Sequence, residues 1–342
     1  MTRTNRQYRL ARRPRGRPDP DVFELVEEPV PTPDDGEVLV RTWYLSVDPY
    51  MRGRMNDAES YAEPWSVGQV LKGGVVGEVA ASNHPGFEPG DVVAAHLDWA
   101  DYAVAPGHRL QPVAVGDAPV STALGVLGMP GRTAYFGMLD VGEPRPGDTV
   151  VVSAAAGAVG SVAGQLASLA GARVVGIAGS DEKVGFLVDE CGFDVGVNYR
   201  TEDVRTAVAD AAPDGVDVYF DNVGGELSDA VVRSLAVGGR VVVCGQIALY
   251  NAETLPSGPR LGPLLITKRA RVEGFLVGDF AHRWAEANRR LARLVTDGTI
   301  TYRETVADGL ERAPAAFLGL FDGDNVGKQL VRVAGPPATR AD

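Results

Sequence analysis

The feature that most constrains the fold is a turn of small residues between two apolar runs. The stretch VVVSAAAGAVGSVAGQLASLAGARVVGIAGSDEK, residues 150–183, joins one apolar run to an Ala-x-Gly-x-x-Gly pattern, a small-residue helical segment and a second apolar run. A strand, a tight turn, a helix and a further strand in this order form a βαβ unit, which belongs to a parallel sheet. The pattern therefore predicts a doubly wound α/β domain around this stretch.

The same alternation continues along the chain after about Leu124. Apolar runs predict strands at 149–153, 173–178, 194–198, 216–220 and 240–244, and periodic stretches predict helices near 158–170, 182–191, 202–211 and 226–236. A longer helix is expected near 282–297, followed by Gly298 in the position of a C-terminal cap. These segments account for one domain.

Residues 21–110 have a different sequence pattern, in which short extended segments are separated by Gly and Pro. EVLVRTWYLSVD, GGVVGEVAAS, GDVVAAH and ADYAVAP are the clearest examples. Short strands with turn signals between them are typical of a small β barrel or a strongly bent sheet. The last forty residues return to mixed short elements that end in the strand-like KQLVRVA, and we expect them to rejoin this first part.

The composition limits where such a chain can work. With 342 residues it is too long for one ordinary core, and 45% hydrophobic and 23% charged residues are usual for a globular protein. No apolar run approaches the roughly 20 residues that span a bilayer, and the start lacks the apolar centre of a secretory signal. The two cysteines predict no disulfide framework. We therefore expect a cytoplasmic protein that does not bind membranes.

The first 18 residues carry seven arginines and no acid, which raises the possibility of a nucleic-acid-binding arm. The whole chain nevertheless has a net charge of −12, and a body that acidic would repel a phosphate backbone. The simpler interpretation is an exposed first strand with solvated arginines. We expect no nucleic-acid partner.

The glycine turn has the features of a dinucleotide site. Small residues at positions 155, 157 and 160 would let the backbone approach a pyrophosphate, and the following helix N-terminus would supply free amide groups. Asp181 and Glu182 lie near the distance at which an acid binds the ribose 2′-hydroxyl of NAD. They also fit an ordinary helix start after Ser180, beside Lys183, which could meet a 2′-phosphate. The residues alone leave NAD and NADP open.

The residues expected of a zinc site or of a serine hydrolase are not recognisable in the sequence. The four histidines, at positions 84, 96, 108 and 282, are scattered, and Cys191 and Cys244 have no paired neighbour, so no zinc ligand set is recognisable. No G-x-S-x-G motif lies between a strand and a helix. The sequence therefore predicts hydride chemistry without a metal.

Several stretches taken together resemble one family over residues 8–333. They are LSVDPYMRGRM (45–55), MPGRTAYFGMLDVG (129–142), AAAGAVGSVAGQLA (154–167), VVGIAGSDEKV (174–184), NYR (198–200), YFDNVGGE (219–226), CGQIALYN (244–251) and GDNVGKQLVRV (323–333). In order and spacing they resemble the zinc-free branch of the medium-chain dehydrogenase/reductases, and more closely its NADPH-dependent alkenal/one oxidoreductases. That family includes the prostaglandin reductases, the plant double-bond reductases and the bacterial curcumin reductase.

The resemblance implies a cofactor and its contacts. Residues 157–160 would hold the pyrophosphate, while Lys183 and Tyr199 match positions at the adenosine 2′-phosphate, which implies NADPH. Tyr250 and Tyr50 match the tyrosines expected beside the reacting enone, Tyr250 bonding the nicotinamide ribose and Tyr50 facing the substrate from the other domain. The implied cofactor residues are Thr133, Gly157, Ala158, Val159, Gly160, Lys183, Tyr199, Asn222, Cys244, Gly245, Gln246, Ile247, Tyr250, Phe275, Val277 and Asn325.

The resemblance also implies a GroES-like β barrel domain at 1–124 and 300–342 and a Rossmann domain at 125–299, with NADPH between them. The expected reaction is reduction of the C=C bond of α,β-unsaturated ketones and aldehydes by a homodimer. A quinone reductase of the same superfamily and a non-catalytic NADPH sensor are the alternatives. Tyr50, Asn325 and the loop at Asn222 each have a purely structural interpretation as well. Arg200, Leu249 and residues 275–280 depart from the family pattern, which leaves the substrate open.

Overall fold

The computed structural model describes residues 3–335, and these form two compact units. The first comprises the described residues of Met1–Leu124, Glu304–Asn325 and Gln329–Asp342, and the second comprises Gly125–Arg303 and Val326–Lys328. Within residues 3–335, none of the helices has the length and apolar character needed to cross a membrane.

Strands predominate in the first unit, whereas strands and helices alternate in the second. The strands are β1 (Thr4–Leu10), β2 (Phe23–Pro29), β3 (Glu37–Ser46), β4 (Lys72–Ser82), β5 (Val92–Asp98), β6 (Tyr102–Pro106), β7 (Gln111–Pro112), β8 (Thr149–Val152), β9 (Arg173–Ala178), β10 (Val195–Asn198), β11 (Val216–Asp221), β12 (Leu235–Val243), β13 (Arg271–Gly274), β14 (Glu304–Asp308) and β15 (Lys328–Arg332). The α-helices are α1 (Met51–Arg54), α2 (Met129–Phe136), α3 (Gly160–Leu169), α4 (Asp181–Gly185), α5 (Val204–Ala211), α6 (Gly225–Val232), α7 (Leu261–Lys268), α8 (Trp284–Thr296) and α9 (Ala313–Gly319).

The first unit is built on a sheet with the strand order β14-β15-β3-β4-β5-β7, in which β6 also pairs with β3. Among residues 3–335 this path of paired strands has two ends, so the sheet is bent rather than closed into a barrel. Two irregularities in the β3–β4 register, at Leu39/Val40 and Thr42/Tyr44, supply part of the bend, because bulges increase local twist. The chain does return from the C-terminal side to this sheet through β14 and β15, as expected.

The arginine-rich start forms a packed strand. Strand β1 pairs with β2 and buries Tyr8 and Leu10 in the core of the first unit. Arg6 donates from Nε to Asp101 at 2.9 Å, and the exposed Arg17 pairs with Asp322. The expectation of an exposed strand was therefore wrong, whereas four of the seven arginines are exposed as expected. The partly buried Arg6 is held by a carboxylate because its charge needs a partner once water is partly removed.

The second unit has the doubly wound topology that the glycine turn predicts. Its sheet is parallel throughout and has the order β10-β9-β8-β11-β12-β13, which is the Rossmann order 3-2-1-4-5-6. The direction of winding reverses between β8 and β11. In open α/β sheets, ligands bind beyond the carboxyl ends of the strands at this switch point.

Most predicted element positions agree with the structure, and the largest difference is at β12. The helix predicted over 226–236 ends at Val232, and the strand starts at Leu235. Leu235 pairs with Val216 of β11 and is fully buried, so sheet pairing and burial outweigh its helical propensity. The sequence did not reveal α7 or β13. The leucines of α7 are half-buried, whereas Ile266 and the four residues of β13 are exposed.

Candidate functional site

The glycine turn between β8 and α3 is tightly closed. Ala154 has a left-handed backbone with φ +46°, and the amide of Gly157 donates to its carbonyl at 3.0 Å. A Cβ on Gly160 would lie 2.5 Å from the Ala154 oxygen, so only glycine lets α3 start this close to the strand. The first amide groups of α3 have no partner within the helix and carry its positive dipole end. The turn at 157–160 therefore fits a pyrophosphate.

A second segment of the chain lies against this turn. Gly157 and Gly327 form an isolated parallel bridge, and the amide of Gly327 donates to the carbonyl of Ala156 at 2.7 Å. Gly327 has φ +68°, and a Cβ there would lie 1.9 Å from the carbonyl oxygen of Arg303. Close backbone approach explains the glycine, and no sequence pattern had indicated this contact.

The two residues expected at the 2′-phosphate lie at the carboxyl ends of adjacent strands. Lys183 is in the first turn of α4, directly after β9, and Tyr199 follows β10. The Tyr199 amide donates to the carbonyl of Ala178 at 3.0 Å, and its ring covers Gly179, where a Cβ would meet it at 2.9 Å. The ring is 44% exposed, so a ligand can reach it.

The acid that would favour NAD is already engaged. The side-chain amide of Asn198 donates to Asp181 Oδ1 at 2.7 Å. Asp181 also lies in the first turn of α4, where the Ser180 hydroxyl caps the Lys183 amide at 3.3 Å. A carboxylate at a helix start is stabilised by the dipole and needs no ribose to explain it. This geometry favours the phosphate-binding interpretation of the segment.

The loop after β11 is held against the end of β8. Asn222 donates from its backbone amide to the Ser153 hydroxyl at 2.9 Å and from its side-chain amide to the Ser153 carbonyl at 2.8 Å. Gly224 and Gly225 follow with φ of +73° and +59°, values that L-residues rarely adopt. Asn222 therefore lies at the switch point of the sheet, where a ligand is expected.

The run 244–250 lies beside this loop. The amides of Cys244 and Gly245 both donate to the Asp221 carbonyl, at 2.8 and 3.0 Å, and the Ala248 amide donates to that of Val223 at 3.0 Å. Backbone pairing thus joins the segments after β11 and β12 into one surface. Gln246, Ile247 and Tyr250 belong to this surface.

The Tyr250 hydroxyl has a defined role in hydrogen bonding. Its oxygen accepts the backbone amide of Gln246 at 3.3 Å, which leaves its own proton free to be donated elsewhere. Burial raises the pKa of Tyr250 above its ordinary value, with the amide of Gln246 acting in the opposite direction. The hydroxyl therefore stays protonated at neutral pH and can serve as a donor.

Cys244 has no thiolate chemistry available. Burial raises the pKa of the Cys244 thiol to about 12, and the Asp221 carboxylate adds to the rise. The thiolate is the reactive form of cysteine, so this side chain is inert at neutral pH. Its backbone, not its sulfur, belongs to the candidate site.

Thr133, Phe275 and Val277 also belong to the second unit. The Thr133 hydroxyl donates to the Met129 carbonyl at 2.8 Å within α2. The Phe275 ring occupies the place of a side chain at Gly137, where a Cβ would lie 2.4 Å from it, and the Val277 carbonyl accepts the Trp284 indole N–H at 3.1 Å. The segment that departs from the family pattern is thus fixed by packing.

Tyr50 and Asn325 belong to the first unit. Tyr50 immediately precedes α1 and packs partly against the hydrophobic core, and burial followed by the charge of Asp48 raises its pKa, so its hydroxyl is also protonated. Asn325 is half-buried in the loop between α9 and β15. Their relation to a cofactor stays a prediction.

The residues that could hold a metal do not converge. Across residues 3–335 no group of three or more His, Cys, Asp and Glu side chains is arranged to hold a metal ion. His84 accepts the Gly86 amide through Nδ1 at 3.0 Å, and His96 lies 3.2 Å from an Arg54 nitrogen. Both histidines thus have partners other than a metal.

One part of the site was missed from the sequence. The carboxylate of Asp221, buried at the end of β11, collects hydrogen bonds from Ser153 and Ser228. An acid directly after the apolar run VDVYF was the available signal, because a buried strand end rarely tolerates a carboxylate without donors.

Two family models match the chain. One, described as the N-terminal domain of oxidoreductase, covers residues 6–113, and the other, described as zinc-binding dehydrogenase, covers residues 158–293. The NADPH-dependent curcumin reductase of Escherichia coli is 47% identical over 338 residues, covering 97% of both chains. The NADP(+)-dependent 2-alkenal reductase of Nicotiana tabacum is 45% identical over 301 residues, covering 87% of this chain and 88% of that one.

A solved structure shows the same fold. CurA from Vibrio vulnificus in complex with NADPH superimposes with a TM-score of 0.92 at 46% identity, covering 97% of this chain and 100% of that one. The GroES-like and Rossmann fold class is therefore confirmed.

Proposed function

The chain belongs to the NADP-dependent alkenal/one oxidoreductases, a zinc-free family of medium-chain dehydrogenase/reductases, and on this premise we propose that it reduces the C=C bond of α,β-unsaturated ketones and aldehydes with NADPH. The relatives are named for curcumin and for 2-alkenals, and both substrate classes contain such a bond conjugated to a carbonyl.

The observation that carries this proposal is the state of the Tyr250 hydroxyl. It is protonated, half-buried, and oriented by the Gln246 amide so that its proton is available. Reduction of an enone places negative charge on the carbonyl oxygen as an enolate forms. A fixed donor at that oxygen stabilises the charge more than it stabilises the ground state.

The cofactor would be held by the residues already described. The turn at 157–160 would bind the pyrophosphate, Lys183 and Tyr199 the 2′-phosphate, and Asn222 with the run 244–250 the nicotinamide half. When bound, NADPH supplies the hydride that the β-carbon of the substrate accepts. From the resemblance we also assign Thr133, Phe275 and Val277 to the cofactor surface.

The protein's own contribution is binding, orientation and hydrogen bonding. Tyr250 would donate to the substrate oxygen, directly or with the cofactor ribose, and the resemblance assigns Tyr50 a contact with the substrate. The α-carbon then takes a proton from the Tyr250 network or from water. No step needs a metal.

The first experiment is a steady-state NADPH oxidation assay with a panel of enones, enals and quinones. Higher kcat/KM with enones and enals than with quinones supports the proposal. Preference for quinones would assign the chain to the alternative reaction, and no turnover with any acceptor despite NADPH binding would indicate a sensor.

The second experiment removes one hydroxyl. Tyr250→Phe keeps the ring and its packing, and we expect kcat to fall about ten- to a hundredfold with NADPH affinity within a few-fold of normal. A direct oxyanion donor is worth roughly 2.7–4 kcal/mol, and the ribose hydroxyl shares the task here. Tyr50→Phe should instead raise the substrate KM. Normal turnover in Tyr250→Phe would show that the tyrosine only packs against the cofactor.

A further inference from the structure

The carboxylate of Asp221 is buried at the switch point without a cation. The residue is 3% exposed at the end of β11. Across residues 3–335, no lysine, arginine or histidine forms an ion pair with it. Burying a carboxylate is costly unless donors replace the lost water, so the donors around Asp221 define what it holds.

One carboxylate oxygen organises the loop after β11. Oδ1 accepts the amides of Val223 at 2.9 Å and Gly224 at 3.0 Å. It also accepts the hydroxyls of Tyr219 at 2.9 Å and Ser153 at 3.1 Å. This oxygen thus fixes the turn that presents Asn222, together with the end of β8.

The other oxygen organises the run that contains Tyr250. Oδ2 accepts the Ser228 hydroxyl at 2.6 Å and Nε2 of Gln246 at 3.1 Å. Nε2 also donates to the Gly245 carbonyl at 2.9 Å, and the side chain fills the space beside Gly224, where a Cβ would lie 2.2 Å from it. The backbone amide of this same Gln246 donates to the Tyr250 hydroxyl.

We propose that Asp221 is a positioning residue for the reduction. Its Oδ2 holds the Gln246 side chain, and the backbone amide of Gln246 in turn orients the Tyr250 hydroxyl. The proposal rests on the proposed role of Tyr250. The two oxygens have different roles. Oδ1 holds the loop at Asn222, and Oδ2 fixes the residue whose backbone amide orients the Tyr250 hydroxyl. The backbone bonds between residues 221–223 and 244–248 hold the two segments together, and without Oδ2 the Gln246 side chain would keep only its bond to the Gly245 carbonyl.

Asp221→Asn separates these two tasks. The asparagine oxygen can keep the Oδ1 partners, whereas its NH₂ group would replace Oδ2 and face the Nε2 donor of Gln246. Two donors cannot bond each other, so Gln246 must turn and lose its bond to Gly245. The loop at Asn222 is expected to stay in place. The matched control is Asp217→Asn on the same strand, whose carboxylate accepts the Thr149 amide at 2.8 Å and lies at the far end from the switch point.

We expect Asp221→Asn to lower kcat about tenfold, with the NADPH dissociation constant of the enzyme, measured by fluorescence titration, within threefold of normal. Asp217→Asn should change neither. An equal loss of kcat and of NADPH affinity, or a normal kcat, would overturn the proposal. The melting temperature of the cofactor-free protein reports any general destabilisation separately.

A double-mutant cycle tests the route through Tyr250. If Asp221 acts through that hydroxyl, then Asp221→Asn should change kcat less than twofold in a Tyr250→Phe background. If the fold-changes in kcat of the two single variants multiply in the double variant, the proposal is overturned. A slow Tyr250→Phe with a normal Asp221→Asn rejects this inference alone, whereas a normal Tyr250→Phe rejects the proposed role of the tyrosine.

Gln246→Met provides the same test if Asp221→Asn fails to fold. It removes the Nε2 donor but keeps the side-chain length and the backbone amide. We expect the same fall in kcat, and a normal rate in this variant would overturn the proposal.

Discussion

Lys183 should decide which cofactor the protein prefers. Lys183 is half-buried in the first turn of α4, directly after β9, Tyr199 follows the adjacent strand β10, and Asp181 is bonded to Asn198. A hydrogen bond to a charged group contributes about 1.5–3 kcal/mol, and partial exposure reduces this to about 1–2 kcal/mol. At about 1.4 kcal/mol per decade, Lys183→Ala should raise the KM for NADPH about tenfold. The KM for NADH should stay nearly unchanged, since NADH has no 2′-phosphate.

The assay is initial-rate kinetics with both cofactors at a saturating enone concentration. Lys268→Ala, at the end of α7, is a matched control that removes an equal charge away from this pair of strands and should leave both constants unchanged. Equal efficiency with NADPH and NADH in the unmodified protein would refute the reasoning. So would an equal rise for both cofactors in Lys183→Ala, and either result would restore Asp181 as a candidate ribose ligand.

Three further predictions concern the metal, the cysteine and pH. Activity should survive extended dialysis against a chelator, and elemental analysis should find well under one zinc per chain, because the family is zinc-free; a stoichiometric zinc lost together with activity contradicts this. Cys244 should resist alkylation at pH 8, where its thiol with a pKa of about 12 is protonated; rapid labelling of Cys244, identified by mass spectrometry, would be inconsistent with its burial. Desolvation and the charge of Arg54 lower the pKa of His96 to about 4 from an ordinary 6.5, although the residue keeps an exposed face, so the unfolded chain binds the extra proton between these values. Stability should fall as pH drops through that range, and His96→Gln should flatten this part of the melting-temperature curve; an unchanged curve argues against the lowered pKa.

Local patterns predicted five of the six strands of the second unit, because the determinants of its βαβ repeats are local. The strand, glycine turn and helix at 149–169 are contiguous. Gly160 must be a glycine because a Cβ there would collide with the backbone of Ala154 and Ala155, which lie in the same turn. The topology followed from repeating that unit. The cofactor could not be chosen from the residues alone, because Asp181 and Lys183 lie in the same helical turn. Only the pairing of Asp181 with Asn198 shows where the acid is used.

What escaped prediction depends on contacts between distant residues. The Asp221 network needs Ser153, Ser228 and Gln246 to converge on one carboxylate, and no spacing in the sequence encodes that convergence. The burial of β1 likewise depends on a partner strand and on acids far along the chain. The end of α6 was misplaced because Leu235 pairs with Val216, a contact outside its own helix pattern.

The bridge between Gly157 and Gly327 has a consequence for biosynthesis. The second unit comprises Gly125–Arg303 and Val326–Lys328, and the carbonyl of Ala156 in its glycine turn accepts the amide of Gly327, which a ribosome adds only after α9 has been made. A nascent chain that has emerged as far as Arg303 holds all six parallel strands and still lacks the hydrogen bond to Ala156. The order of synthesis therefore places completion of the nucleotide turn near the end of translation. A fragment cut at residue 303 would retain the sheet without the bridge that closes over its turn.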